Sequence, residues 1–484
     1  MKRKKIPGNI FPINSSKFFV RLSFLIIIIG GSSACKKAVE VAPPKTNLVA
    51  ATTFQSNSSA IAAVTGIFQT LDGTDLVGGD LGNDNFATIA GLSADELTLY
   101  PSSSSNLQQA YTNSLYSQTS PFPFWTYLYN TIYDTNAAIN GISNSSGVTQ
   151  PVKNQLLGEC YFIRAFCNFY LVNVFGNVPL VTTTNYQINN SVTRSSIADV
   201  YQQIITDLKS SDGLLSANYV SLAVKSISDK TFPNKGAVEA LLARVYLYNR
   251  DWANAETKAS SVISNYSYQL DSDLNSVFLT NSTEAIWQLP TLYNTTYDTP
   301  DGYIFILTSG PDPVTNPVYL SPQVLNAFET NDNRMADWVG SSNGYFFAYK
   351  YKQGRSPSSV TENYMVLRLA EQYLIRAEAR AEQNETSAVN DLDVIRNRAG
   401  LPNYSGATDQ KSLLAAIMHE NQIEFFAEWG HRWLDLKRTN TVDSVMSIVT
   451  PLKGGTWSSY KQLFPIPLSD IKIDPKLGQN PGYN

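Results

Sequence analysis

Aromatic, amide and carboxylate side chains crowd into two stretches of this 484-residue chain, and the mixture suits the holding of a saccharide. A sugar ring has one apolar C–H face and a rim of hydroxyls. Flat aromatic rings match the face, with a polar handle on Tyr and Trp, while amides and carboxylates match the rim. Residues 72–125 contribute Asp95, Glu96, Tyr100, Asn106 and Tyr111. Residues 287–350 contribute Trp287, Tyr293, Asn294, Tyr297, Asp298 and Tyr303, then Trp338, Asn343 and Tyr345. Asp95, Tyr100, Tyr111, Trp287, Tyr293, Asn294, Tyr297 and Trp338 are the candidate ligand contacts. The competing expectation for each aromatic is that it staples its own loop to the scaffold.

Reactive chemistry finds little support elsewhere. His419 and His431 are the only histidines, twelve apart, with no H-E-x-x-H and no neighbouring Cys to complete a zinc site. Neither a G-x-S-x-G elbow nor a phosphate-cradling glycine loop is present. Acids are plentiful, but no pair is singled out as a glycosidase couple. Cys160 and Cys167 lie seven apart in a helical pattern, about 10 Å along the axis, which a disulfide cannot bridge. We expect binding without catalysis, cofactor or metal.

The first 35 residues carry a different chemistry. Lys2, Arg3, Lys4, Lys5, Lys17 and Arg21 precede the apolar run Leu22 to Ile29, and Gly30-Gly-Ser-Ser-Ala-Cys35 follows. A basic region, a short apolar core and small residues make a secretory signal. The run is far shorter than the roughly 20 residues that span a bilayer. A Cys directly after small residues is the acceptor for lipoprotein acylation, so 1–34 is expected to be removed and Cys35 lipidated. Residues 35–52, with Pro43-Pro44, read as a tether. Loss of the signal takes six basic residues and no acidic ones, leaving 30 Lys and Arg against 40 Asp and Glu. An acidic chain without a basic stripe is a poor fit for nucleic acid.

The elements that must position the candidate residues are helical. Leu156, Cys160, Ile163, Cys167, Tyr170 and Val174 step by four and three along one helix face, and Gly176 and Pro179 end it. From Gly236 to Ile263, Leu242, Ala243, Tyr246, Trp252, Ala255, Ala259 and Val262 fit the small and large positions of a tetratricopeptide helix-turn-helix. A looser pair spans Tyr373 to Ile395, and a third joins 152–175 to 197–212. Such units leave an apolar face open and must stack. The expected fold is all-α: tetratricopeptide-like pairs forming a scaffold, with long loop-rich insertions. Loops of that length are uncommon unless functional or disordered, and their aromatic content argues for function.

The tail carries the most specific pattern. Glu424-Phe-Phe-Ala-Glu-Trp-Gly-His-Arg-Trp-Leu-Asp-Leu-Lys-Arg438 precedes Leu463-Phe-Pro-Ile-Pro467 and Gln479-Asn-Pro-Gly-Tyr483. On one helix, Glu428 and Arg432 would pair at i, i+4, Asp435 would meet Arg438, and Trp429 and Trp433 would bury one face. Glu420, Glu424 and Glu428 would form a stripe answered by Arg396 or Arg398 from a neighbour. Interwoven charges and aromatics of this kind hold helices in register.

This tail resembles the SusD/RagB family of surface nutrient-binding lipoproteins of Bacteroidetes, in which E-x-G-x-R-x-x-D-L-x-R, F-P-I-P and N-P-G-Y occur in that order. The helix from Ala60 to Leu71, the block Glu159-Cys-Tyr-Phe-Ile-Arg-Ala-Phe through Val-Phe-Gly-Asn-Val-Pro179, and Leu369-Ala-Glu-Gln-Tyr-Leu-Ile-Arg-Ala-Glu-Ala379 resemble further family blocks. Trp125 matches a packing Trp. The resemblance implies one family domain over 53–484, display on the outer membrane facing the exterior, an oligosaccharide or polysaccharide ligand, and a SusC-like TonB-dependent transporter as partner. It also implies that the protein forms a lid over that transporter's barrel. The alternatives are a tetratricopeptide-like envelope adaptor without a small ligand, or a peptide-binding member.

Overall fold

Helix starts in this chain are written by short polar side chains. In the computed structural model, Asn234 accepts from the Ala237 N–H (2.9 Å), Ser196 from the Asp199 N–H (3.2 Å) and Asp409 from the Ser412 N–H (3.2 Å). Each satisfies a donor that a first helical turn leaves unpaired. The structure describes residues 53–72, 85–101, 104–116, 124–290, 297–355 and 359–483. The signal segment, Cys35, the tether, Tyr293 and Asn294 lie outside the described residues.

The main helices are α1 (Asn57–Asp72), α2 (Phe86–Ser93), α3 (Phe124–Ser143), α4 (Gln150–Phe175), α5 (Ile197–Asp212), α6 (Lys235–Tyr248), α7 (Trp252–Asn265), α8 (Leu369–Glu382), α9 (Ala388–Arg398), α10 (Gln410–Glu424), α11 (His431–Arg438) and α12 (Val442–Leu452). They stack in sequence: α1 on α3, α3 on α4, and so on to α8, which packs against both α9 and α10. The three expected pairs are present as α6–α7, α8–α9 and α4–α5. Ala243, Ala255 and Ala259 are fully buried, and their small size lets α6 and α7 approach. Arg250 holds a left-handed conformation (φ 59°) in the tight turn between them. The fold is predominantly helical, with loop-rich insertions, as the periodicity and the resemblance imply.

Those insertions hold more regular structure than their sequence suggests. β1 (Leu97–Leu99) lies before the short helix Ser105–Tyr111, and β2 (Ala285–Leu289), β3 (Val318–Leu320), β4 (Val339–Ser342), β5 (Tyr345–Ala348) and β6 (Tyr364–Arg368) follow along the chain. β1 pairs antiparallel with β3, β2 with β6, and β4 with β5. Strands of three to five residues are too short to show alternation, and β2 and β6 are buried throughout. α2, inside the first insertion, is buried at every position.

The tail departs from one continuous helix. α10 ends at Glu424, and Ala427, Trp429 and Gly430 take left-handed backbone (φ 56°, 46° and 67°) before α11 begins. Glu428 and Arg432 are therefore not one turn apart on a helix and do not pair. Arg432 instead grips Asp95 through two bonds of 2.8 and 2.7 Å. Glu428 meets Lys350 (2.5 Å) and Arg368 (2.9 and 3.0 Å). Trp429 and Trp433 are both buried but in different settings, Trp429 bonded to the Met365 carbonyl and Trp433 beside Trp457 and Phe464. Asp435 and Arg438 do pair (2.6 Å).

The expected answer from α9 is present: Arg398 pairs with Glu424, and Arg396 lies 3.5 Å from Glu420. The cluster is larger than the spacing implied. Arg334 joins Asp332, Glu420 and Glu424 (2.8, 2.6 and 3.0 Å), while Arg368 joins Glu284, Glu424 and Glu428. Burial alone would raise Glu424, but Arg398, Arg368 and Arg334 together hold its carboxyl well below the usual range. Charges out of water are tolerated only when paired this fully. Arg334 and Lys350 come from the second insertion, so the cluster bolts that insertion to α9 and α10.

Candidate ligand-binding surface

Four tyrosines from separate elements meet beside the β1–β3 ladder. Val318 and Leu320 point inward, which turns Tyr319 outward. Tyr100 follows β1 and is fixed by its N–H bond to the Pro317 carbonyl (2.7 Å). Tyr345 leads β5 and meets both edge-on, at 5.0 Å from Tyr319 and 6.0 Å from Tyr100. Tyr111, at the end of its short helix, bonds Thr98; burial outweighs that bond and raises its hydroxyl. All four are half-buried, which leaves part of each side chain open to solvent.

The backbone around them is fixed. Asn343 and Gly344 (φ 51° and 83°) form the two-residue turn joining β4 to β5, the Asn-Gly pairing that suits the twist of a hairpin. Asn343 donates to the Ser309 carbonyl (2.7 Å), and Ser342 accepts from the Gly310 N–H (3.0 Å). Residues 312–316 close on Asp312, which accepts from the Val314, Thr315 and Asn316 N–H groups (2.9, 2.7 and 3.1 Å). Asn316 donates to the Tyr303 and Ile304 carbonyls (2.8 and 2.7 Å).

A charged floor lies beneath. Asp95 is buried; burial would raise its carboxyl, but Arg432 brings it below its ordinary value. Its neighbour Glu96 is pushed up to about 8 by burial and by Asp95. Lys453 donates to the Leu92 carbonyl (2.8 Å), its ammonium 5.3 Å from the Tyr111 ring centroid, and burial pulls it down to about 7.

Of the candidate contacts, Tyr100 and Tyr111 belong to this surface. Asp95 does not reach solvent, because Arg432 occupies both its oxygens. Trp287 is fully buried, edge-on to Phe162 and Phe166 (4.9 and 5.2 Å), and bonds the Thr231 carbonyl. Trp338 is equally buried, bonds the Leu274 carbonyl (2.9 Å) and has the Lys350 ammonium over its ring at 4.8 Å. Neither indole offers a face to a ligand, so both are corrected to core residues. Tyr297 is 8% exposed and packs on Tyr303 (5.2 Å). Trp125 is buried against Tyr129 and Phe175, as the packing expectation had it. Tyr319 escaped the sequence reading; its signal was the single apolar-polar-apolar step Val318-Tyr-Leu320 after a proline. Among the described residues no group of His, Cys, Asp and Glu is arranged to hold a metal ion.

A stacked helical scaffold presenting a loop-built tyrosine surface defines a class of protein rather than one activity, and known proteins supply the family. A sequence profile described as starch-binding, associating with outer membrane, matches residues 83–247, and the SusD family profile matches 329–483. SusD-like protein P25 of Formosa agariphila is 22% identical over 525 aligned residues, covering 95% of this chain and 98% of that one. Starch-binding protein SusD of Bacteroides thetaiotaomicron is 33% identical over 123 residues, 24% of this chain and 21% of that one. A laminarin-binding SusD-like protein shares the fold with a TM-score of 0.75 at 22% identity, covering 89% of this chain and all of that one. Surface glycan-binding protein A from Bacteroides uniformis does so at 0.73 and 19%, covering 88% and 99%. The chain belongs to the SusD/RagB family.

Proposed function

We propose that this chain captures an oligosaccharide on its tyrosine surface, is held at the outer membrane by acylated Cys35 facing the exterior, and passes its ligand to a SusC-like TonB-dependent transporter. It carries out no chemistry on the ligand. The observation that carries the reading is the convergence of Tyr100, Tyr111, Tyr319 and Tyr345 on one solvent-facing surface. The names of its relatives, starch-binding, laminarin-binding and glycan-binding, support the same ligand class, and the outer-membrane description of the matching profile supports the location.

The test is a glycan binding screen on protein starting after Cys35, followed by calorimetry on each hit. Tyr345→Ala removes the ring that touches two others, and we expect affinity to fall about tenfold or more, ~1.4 kcal/mol, with unchanged thermal unfolding. Unaltered affinity in a folded variant would move the site elsewhere. Gentle extraction from the native membrane should bring a TonB-dependent barrel along.

One feature favours the adaptor as a second reading. A groove of ≈ 580 Å³ opens on the scaffold, lined by Leu247, Trp252, Leu414 and Met418 with Arg250 and Glu382 at its sides. Substitutions there that abolish partner binding, with the tyrosines dispensable for uptake, would favour it.

A further inference from the structure

Ten of the thirteen arginines among the described residues hold a carboxylate within ion-pair distance. The other three are Arg194, Arg250 and Arg355. Arg194 donates to the Asn177 carbonyl and to Asn480, and Arg250 to the Arg438 carbonyl. Both serve the helical scaffold and its tail. Arg355 is the one of the three in the loop-rich half.

Its surroundings fix it without neutralising it. The guanidinium lies 4.3 Å from the Tyr303 ring centroid, and one terminal nitrogen donates to the Asn316 side-chain oxygen (2.9 Å). Asn316 is neutral, and its own amide is spent on two carbonyls. Asp312, the acid on the adjoining loop, turns its oxygens to backbone N–H groups. Arg355 is itself exposed. A guanidinium carries five donors in a rigid fork, and this one spends a single donor on a neutral partner.

Its place matters as much as its charge. Asn316 leads through Pro317 to Tyr319, three extended residues or about 10 Å, so the cation lies one short stretch of backbone from the tyrosines. The chain after signal removal carries ten more acidic than basic residues. Such a molecule repels anions unless a local cation invites them. A planar fork matches a carboxylate or a sulfate with two parallel bonds.

We propose that Arg355 reads an acid group on the saccharide, a carboxylate or a sulfate ester, and makes this surface selective for acidic over neutral glycans. The proposal rests on the saccharide reading of the tyrosine surface and adds the charge of the ligand to it.

The experiment compares oligogalacturonate, sulfated galactan oligosaccharides and neutral laminari-oligosaccharides by calorimetry on the chain from residue 36, with Arg355→Gln and Arg355→Lys beside the parent. The parent is expected to bind at least one acidic probe tenfold or more tighter than the neutral one, with affinity falling as salt rises from 50 to 300 mM. In Arg355→Gln the acidic-to-neutral ratio should collapse towards one, and Arg355→Lys, which keeps charge but loses the fork, should fall between. The better acidic probe assigns carboxylate or sulfate. Equal binding of neutral and acidic probes by the parent overturns this proposal while leaving glycan capture standing. So does an unchanged ratio in Arg355→Gln. Absence of binding to every glycan overturns both. Should Arg355→Gln unfold, the parent's ratio and its salt dependence decide alone.

Discussion

Asp95 and Glu96 are adjacent acids with opposite fates, and the difference is one partner. Arg432 reaches Asp95 from 337 positions along the chain, whereas Glu96 accepts only a long bond from the Ala427 N–H (3.3 Å). Glu96 therefore keeps its proton to about pH 8. Because its folded value lies above its unfolded one, its contribution to stability is whole below about pH 4.5 and is lost as pH rises through 8. Glu96→Gln mimics the protonated form. Its melting temperature relative to the parent should climb from pH 5 to pH 9; a constant difference would show that Glu96 does not titrate in this way. Sequence pointed to Asp95 as a ligand contact because an acid beside Tyr100 suits a sugar rim. Nothing local to Asp95 announces Arg432. Trp287 and Trp338 misled because the sequence placed them in a loop-rich insertion, whereas Trp287 lies in the buried strand β2 and Trp338 ends a short helix, both with their indoles facing inward.

The turn between α10 and α11 shows what pattern reading can and cannot see. Charges at three- and four-residue spacing imply a continuous helix from Glu420 to Arg438, and the pairs of Asp435 with Arg438 and of α9 with α10 fit that picture. Gly430 breaks it. Its left-handed backbone is one that a side chain resists, and a Cβ there would sit 2.6 Å from the Ala90 Cβ and 2.7 Å from the Phe86 ring. The glycine was visible, but its close approach to α2, in an insertion 340 residues earlier, was not. Gly430→Ala should cost about 1–2 kcal/mol for the backbone, with a further 1–3 kcal/mol for crowding. Denaturant unfolding measures this. A loss under ~0.5 kcal/mol would mean that α2 gives way easily. The helix pairs themselves were legible because small residues at fixed spacing mark close packing, whereas β1 and β3 were not, since three residues show no period.

Across the whole molecule, residues 464–483 act as a latch on the middle of the chain. Asn480 donates to the Phe175 and Phe464 carbonyls (2.9 and 2.8 Å), Phe464 donates its N–H to Val174, and the Tyr483 hydroxyl reaches the Leu463 carbonyl. The F-P-I-P and N-P-G-Y motifs were legible as family marks, but their role was not, because their partners lie some 300 residues away. Asn480→Ala strands two buried carbonyls at about 1–3 kcal/mol each. A fall of several degrees in the thermal midpoint is expected, and a shift near zero would show that water replaces the amide.

The same latch orders events in time. A bond spanning 305 residues can form only after residue 480 has been made, and long-range closure is slow once both ends are free. Without this segment the Val174 and Phe175 carbonyls at the end of α4 lack these partners, so this part of the core closes only when residues 464–483 are in hand. Completion of the core is thereby deferred until a segment some 300 residues downstream of α4 has been added.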